Sequence, residues 1–221
     1  MKDDASKRPQ TAPKRGRPAL SDADRDATRR RIAEAAQELF QRDGYATVSI
    51  RKIAKTVGYT PMAIYRYYDS KLEILQTLWG GVFESVFAEL DAVKPQPDPI
   101  AHLVAIATAY VSYWLEHPDH YRLVFMAEGV TQPDVSIFLD DPAIIARFSI
   151  FADALTRASR RELPAADHKT KLDVLLCLLH GIAHNRVTLS GYAWTSPADL
   201  VREGVRGLVT NTETSPPRRD I

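Results

Sequence analysis

The chain has 221 residues, 45% of them hydrophobic and 26% charged, which suits a protein that folds around its own core. No apolar run reaches the roughly 18 residues of a membrane-spanning helix, and a single cysteine, Cys177, excludes an intrachain disulfide. Net charge is only +1, but residues 1–72 carry +7 and residues 73–221 carry −6, as expected of a module facing nucleic acid joined to something else. A chance excess in a flexible tail would produce the same asymmetry.

The first residues (Lys2, Asp3, Asp4, Lys7, Arg8) are charged and lack the apolar stretch of a secretory leader, so a cytoplasmic location is expected. Residues 1–20 are polar, proline-containing and aperiodic, and should be disordered in isolation. Ser21 or Asp22 then caps a helix whose apolar positions, Ile32, Ala35, Ala36, Leu39 and Phe40, share one face until Asp43-Gly44 ends it. Ser49 opens a short helix with Ile50, Ile53, Ala54 and Val57 inward, closed by Gly58. Thr60 and Pro61 start another, over about 61–68. Ser70-Lys71-Leu72-Glu73 reads as a capping box, opening a helix of roughly 20 residues through Leu90.

After the break from Lys94 to Pro99 the pattern stays helical. Helices are predicted from Ile100 to Glu116, from Pro118 to about Glu128, from Pro142 to about Arg161, from Asp167 to Ser190 and from Pro197 to 211, with a loop between Gly129 and Asp141. No segment alternates as a strand would. The expected fold is all-α with about nine helices and no internal repeat.

Two short helices around Gly58-Tyr59-Thr60 form the layout of a helix-turn-helix, whose second helix enters the major groove. Ile64 and Tyr68, four apart, should face the core, leaving Met62, Ala63, Tyr65, Arg66 and Tyr67 outward. Tyrosine hydroxyls suit phosphates, and Arg66 suits a phosphate or a guanine edge. Packing of the tyrosines against the next helix is the alternative.

The run from Gly44 to Lys71 holds the Gly44 turn, Ile53-Ala54, Gly58, the Ile64-Tyr65 pair, an aromatic at Tyr68 and Lys71. It resembles the DNA-binding domain of the tetracycline-repressor (TetR) family of bacterial regulators, over roughly residues 25–75. Phenylalanine is usual in the family at position 68, so the Tyr68 hydroxyl needs a partner or an edge. The resemblance implies that Ser49 and Thr60 cap their helices and meet phosphates, that Arg51 reaches a base, and that Lys52 looks outward. It also implies that Met62 and Ala63 face base edges, that Tyr65 and Tyr67 contact phosphates, and that Lys71 binds one at its helix N-terminus. Ahead of this domain, Arg15-Gly16-Arg17-Pro18 resembles the core of an AT-hook, with Arg15 and Arg17 in a narrow A·T minor groove; a generic basic tail is the alternative.

The resemblance divides the chain into a basic arm (1–20), a helix-turn-helix domain (21–72), a ligand-binding and dimerisation domain (73–211) and a disordered tail (212–221). The stretch Ala109 to Phe125, with Leu179-His180-Gly181, looks like one recurrent type of TetR C-terminal domain. The last two helices, one apolar over much of its circumference and one carrying Gly204 and Gly207, suit a four-helix dimer interface. Phe83, Phe87, Tyr110 and Trp114, with Tyr121, Phe125, Phe148 and Phe151, are candidates to line an apolar pocket, or are ordinary core. His180 is expected as a polar anchor in that pocket or in the interface, and Cys177 as core. His180 and His184 are spaced to share a metal, but no Glu or Cys cluster supports one, so no metal or cofactor is expected.

No nucleophile-base pair, metal set or phosphate loop suggests an enzyme. The expected function is a sequence-specific transcriptional regulator, a repressor by resemblance. It would bind a palindromic operator in double-stranded DNA as a homodimer and leave it when a small apolar or amphipathic ligand occupies the C-terminal domain. No membrane is involved. The alternative is a ligand-independent DNA-binding protein whose C-terminal domain only dimerises.

Overall fold

The computed structural model describes residues 21–131, 134, 141–159 and 164–210. The expected arm over 1–20, most of the 129–141 loop and the tail over 212–221 lie outside them. Among the described residues there are nine helices and no strand: α1 (Asp22–Asp43), α2 (Ile50–Val57), α3 (Pro61–Ile64), α4 (Lys71–Asp91), α5 (Pro99–Glu116), α6 (Pro118–Phe125), α7 (Pro142–Ala158), α8 (Ala165–Thr188) and α9 (Pro197–Thr210). None of these is long and apolar enough to cross a membrane.

Helix starts follow from side chains that satisfy the otherwise unpaired N–H groups of a first turn. Ser21 Oγ accepts from Asp24 N at 3.2 Å, and Ser70 Oγ from Glu73 N at 3.0 Å. Both Asp98 carboxylate oxygens accept N–H groups of α5, from Ile100 and Ala101. The Ser70–Glu73 box differs from the expected form on its return side. Glu73 Oε2 accepts from Asp69 N at 2.5 Å, one residue before the cap. α7 ends at Ala158, short of the expected Arg161.

α1, α2 and α3 form a small head, with α1 packed on α2 and α4. α5 is the axis of the C-terminal half and touches α4, α6, α7, α8 and α9. Its apolar residues leave no solvent face over Leu103, Ile106, Ala107, Tyr110, Val111, Tyr113 and Trp114, all buried. One contiguous core runs from Ile32 in the head through Trp79 and Trp114 to Val209. Each large apolar side chain fully buried there contributes about 1.5–3 kcal/mol relative to exposure.

α6 bridges the two halves, touching α1 and α4. Trp79 Nε1 of α4 donates to the Leu123 carbonyl of α6 at 3.0 Å, a buried bond that fixes their register.

Gly204 lies at a close approach of the last two helices. A Cβ there would meet the end of the Leu178 side chain of α8 in the same chain, which would have to move. A Cβ at Gly207 would meet nothing.

Candidate nucleic-acid interface and ligand groove

The head is built around one tight connection. Ser49 Oγ accepts from Lys52 N at 3.3 Å and opens α2. Gly58, at φ 75°, takes the left-handed conformation that closes it, and Tyr59 N then donates to Ala54 O at 2.8 Å. Two residues on, Thr60 Oγ1 accepts from Ala63 N at 3.2 Å and Pro61 occupies the first position of α3. α3 is shorter than the expected 61–68. Regular helix stops at Ile64, whose carbonyl accepts from both Tyr67 N and Tyr68 N as the chain tightens into a turn.

Arg29 on α1 holds that turn. Its guanidinium donates to the Tyr67 carbonyl, pairs with Glu73 Oε1 at 3.1 Å and lies 4.2 Å from the centre of the Tyr68 ring. The Tyr68 hydroxyl donates back to the Arg29 carbonyl at 3.0 Å, which is the partner its sequence position required. One side chain thus ties the end of the candidate recognition element to α1 and to the first turn of α4. Arg29 has no sequence motif of its own, and only the fold brings it to Tyr67, 38 positions away.

Met62 is 74% exposed and Tyr65 49%, with Arg66 and Arg51 also exposed. Ala63 is half-buried. Tyr67 is half-buried as well and packs on the core, so it shows less of its ring to solvent than Tyr65 does. Lys52 is exposed but pairs with Asp43 Oδ2 at 2.9 Å. Arg42 and then Lys52 hold the Asp43 carboxyl down to about 2. Lys71 turns toward the protein: Nζ donates to the Tyr45 carbonyl at 2.7 Å and sits 4.0 Å over the Tyr45 ring. Burial lowers its pKa. An ammonium has three donors, so two remain. Arg15 and Arg17 lie outside the described residues.

In the C-terminal half, a groove of about 690 Å³ opens between α7 and α8 with α4, α5 and α6 as its floor. Phe83, Tyr110, Phe125, Phe148 and His180 of the expected pocket set line it. Phe87, Trp114, Tyr121 and Phe151 do not, which corrects the expectation. They are buried behind the groove in edge-on ring contacts, such as Trp114–Phe125 at 5.3 Å and Tyr110–Phe151 at 5.5 Å. Burial pushes the Tyr121 phenol up to about 12, and its hydroxyl meets His184 Nδ1 at 3.2 Å.

Residues 32–78 match the family described as bacterial regulatory proteins, tetR family. Residues 103–208 match the tetracyclin repressor-like C-terminal domain. The chain belongs to the TetR family.

Relatives of this TetR-family chain include the transcriptional activator FasR of Mycolicibacterium smegmatis, 32% identical over 114 residues, 51% of this chain and 52% of FasR. The nucleoid occlusion factor SlmA of Marinobacter nauticus is 33% identical over 85 residues, 35% of this chain and 44% of SlmA. The chain thus spans about half the length of the curated relatives it matches. The TetR-family regulator PfmR from Thermus thermophilus has the same fold, with a TM-score of 0.54 at 19% identity over 83% of this chain and 100% of PfmR. So does a TetR-like regulator from Rhodococcus, at 0.58 and 18%, over 86% and 97%.

The groove of this TetR-family chain also uses residues that sequence reasoning missed. Leu172 and Leu176 lie on the same stripe of α8 as the expected His180, and Ile145, Ser149 and Ala152 share one of α7. Their i, i+3 and i, i+4 spacing was the available signal, hidden because both helices also carry core stripes. Cys177 corrects another expectation: it is exposed at the groove rather than in the core.

Proposed function

We propose that this chain is a DNA-binding transcriptional regulator that acts as a homodimer. The head reads a palindromic operator, and a small molecule in the groove releases it. The observation that carries the reading is the α2–α3 element, clamped from behind by Arg29 and showing Met62, Tyr65 and Arg66 to solvent. Tyr65, with Ser49, Thr60 and the free donors of Lys71, suits phosphates. Arg51, Met62 and Ala63 suit base edges. Two such heads must sit about 34–36 Å apart to meet successive major grooves. The repressor sense follows the tetracycline repressor, whereas the relative FasR is named an activator.

A route for release is supported by continuity. Phe125 lines the groove at the end of α6, α6 touches α1, and Leu123 of α6 holds Trp79 of α4. A ligand that favours one setting of α6 shifts the spacing of the heads only by its differential affinity for the two settings. The groove favours this reading over a C-terminal domain that only dimerises. Binding-site selection with the full chain, then titration of the selected duplex at several salt concentrations, tests the proposal. A palindrome with a steep salt slope is expected. Weak, sequence-blind binding at moderate salt rejects it.

A further inference from the structure

The α7–α8 groove has a lining whose chemistry is narrower than that of a general apolar cleft. No Lys, Arg, Asp or Glu lines it among the described residues. Its walls are Phe83, Phe125, Phe148, Leu172 and Leu176, and its volume falls within the roughly 300–1,000 Å³ of small-molecule clefts. Three cations of the flanking helices are engaged elsewhere. On α8, Lys169 pairs with Asp173 at 2.6 Å, and Lys171 donates to the Leu208 carbonyl at 2.7 Å. On α7, Arg147 pairs with Asp91 at 2.5 Å across α4. A carboxylate or sulfonate seated against these walls would lose hydration and find no counter-charge among the described residues, and an ammonium would fare the same.

The polar groups that remain are Tyr110, Ser149, Cys177 and His180. His180 is half-buried, with its ring against Phe125 at 4.4 Å between centroids. Burial, and then the neighbouring His184, hold its imidazole below the ordinary value, so near neutral pH it offers a hydrogen bond and no charge.

We propose that the groove takes an uncharged, largely aromatic or aliphatic molecule whose one polar group meets His180, and that it excludes anions of the same shape. This rests on the reading of the groove as the ligand site and adds the class of ligand.

The test uses the full chain and two probes that differ by one charge. N-phenyl-1-naphthylamine is neutral, and 8-anilinonaphthalene-1-sulfonate is close to the same skeleton with an added sulfonate. Fluorescence titration should give at least about tenfold tighter binding for the neutral probe. Cys177 is the only cysteine of the chain and reports the site: its alkylation by iodoacetamide should slow several-fold when the neutral probe saturates. Ile145→Lys adds a cation at the rim, where residue 145 is 54% exposed, so folding should be preserved and the sulfonate should bind more tightly. Equal or tighter sulfonate binding to the unmodified chain overturns the inference. So does neutral-probe binding that leaves Cys177 alkylation unchanged, or a sulfonate affinity unmoved by Ile145→Lys. Alkylation that speeds up on dilution of the probe-free chain also overturns it, since a second copy would then cover the groove. If the neutral probe protects Cys177 but leaves operator affinity unchanged, the ligand class stands and release by ligand falls.

Discussion

At the scale of single residues, the head separates side chains that face outward from side chains that hold them. Tyr65 and Arg51 are exposed, so their substitution should alter binding with little effect on folding. Tyr65→Phe is expected to weaken all duplexes about equally, because phosphate contacts position without specifying. Arg51→Ala is expected to relax preference at one base pair, at a cost of about 1–3 kcal/mol, read by binding-site selection. Arg29 is the contrast. It touches Tyr67, Tyr68 and Glu73 together, and a planar fork with several donors suits that task better than an ammonium. Arg29→Ala should destabilise the chain by about 1–3 kcal/mol, the range for losing a charged hydrogen-bond donor with half-buried partners. It should also reduce operator affinity more than folding loss explains. Arg29→Lys should fall between the two. Denaturant unfolding alongside duplex titration separates the effects, and an alanine variant with native stability and native affinity would remove the clamp.

At the scale of elements, two glycines of α9 distinguish packing within the chain from an open face. Gly204→Ala puts a Cβ against the end of the Leu178 side chain, so that side chain must move and the unfolding midpoint should rise less than for Gly207→Ala. Gly207→Ala meets nothing within the chain and should raise stability by up to about 1 kcal/mol through helix propensity. A destabilised Gly207→Ala that also fails to dimerise would place that glycine in the subunit interface. The helix starts were readable from the sequence because capping is local: Ser21, Ser49, Thr60, Ser70 and Asp98 lie within three positions of the N–H groups they satisfy. The end of α3 was not readable. The turn that follows it meets Arg29, which the sequence places 38 positions before Tyr67.

At the scale of the whole molecule, the single core makes stability and coupling depend on the same buried groups. Tyr121 is an example. Its folded pKa of about 12 lies above the ordinary 10.0, so its contribution is fully present below pH 10 and is lost as pH rises toward 12. Tyr110, fully buried, is shifted in the same direction. Denaturant midpoints should therefore fall between about pH 10 and 12, and Tyr121→Phe should shrink that fall. An unchanged pH profile in the variant would assign the alkaline loss elsewhere. Trp79→Phe removes the donor to Leu123 while keeping most of the apolar volume. It is expected to reduce the change in operator affinity on ligand binding more than ligand affinity itself. Equal changes in both would exclude this bond from the coupling.

The sequence by itself determined the helical class, most helix boundaries, the helix-turn-helix layout and the basic head, because caps, periodicity and charge act over a few residues. It also carried the TetR resemblance. Only the tertiary structure decided which aromatics meet the groove. Phe83 and Trp114 look alike as apolar positions on amphipathic helices, yet one lines the groove and the other is sealed behind it. Periodicity identifies a buried face but not what lies opposite it. The same limit put Cys177 in the core by residue type, when the turn of α8 leaves it exposed at the groove.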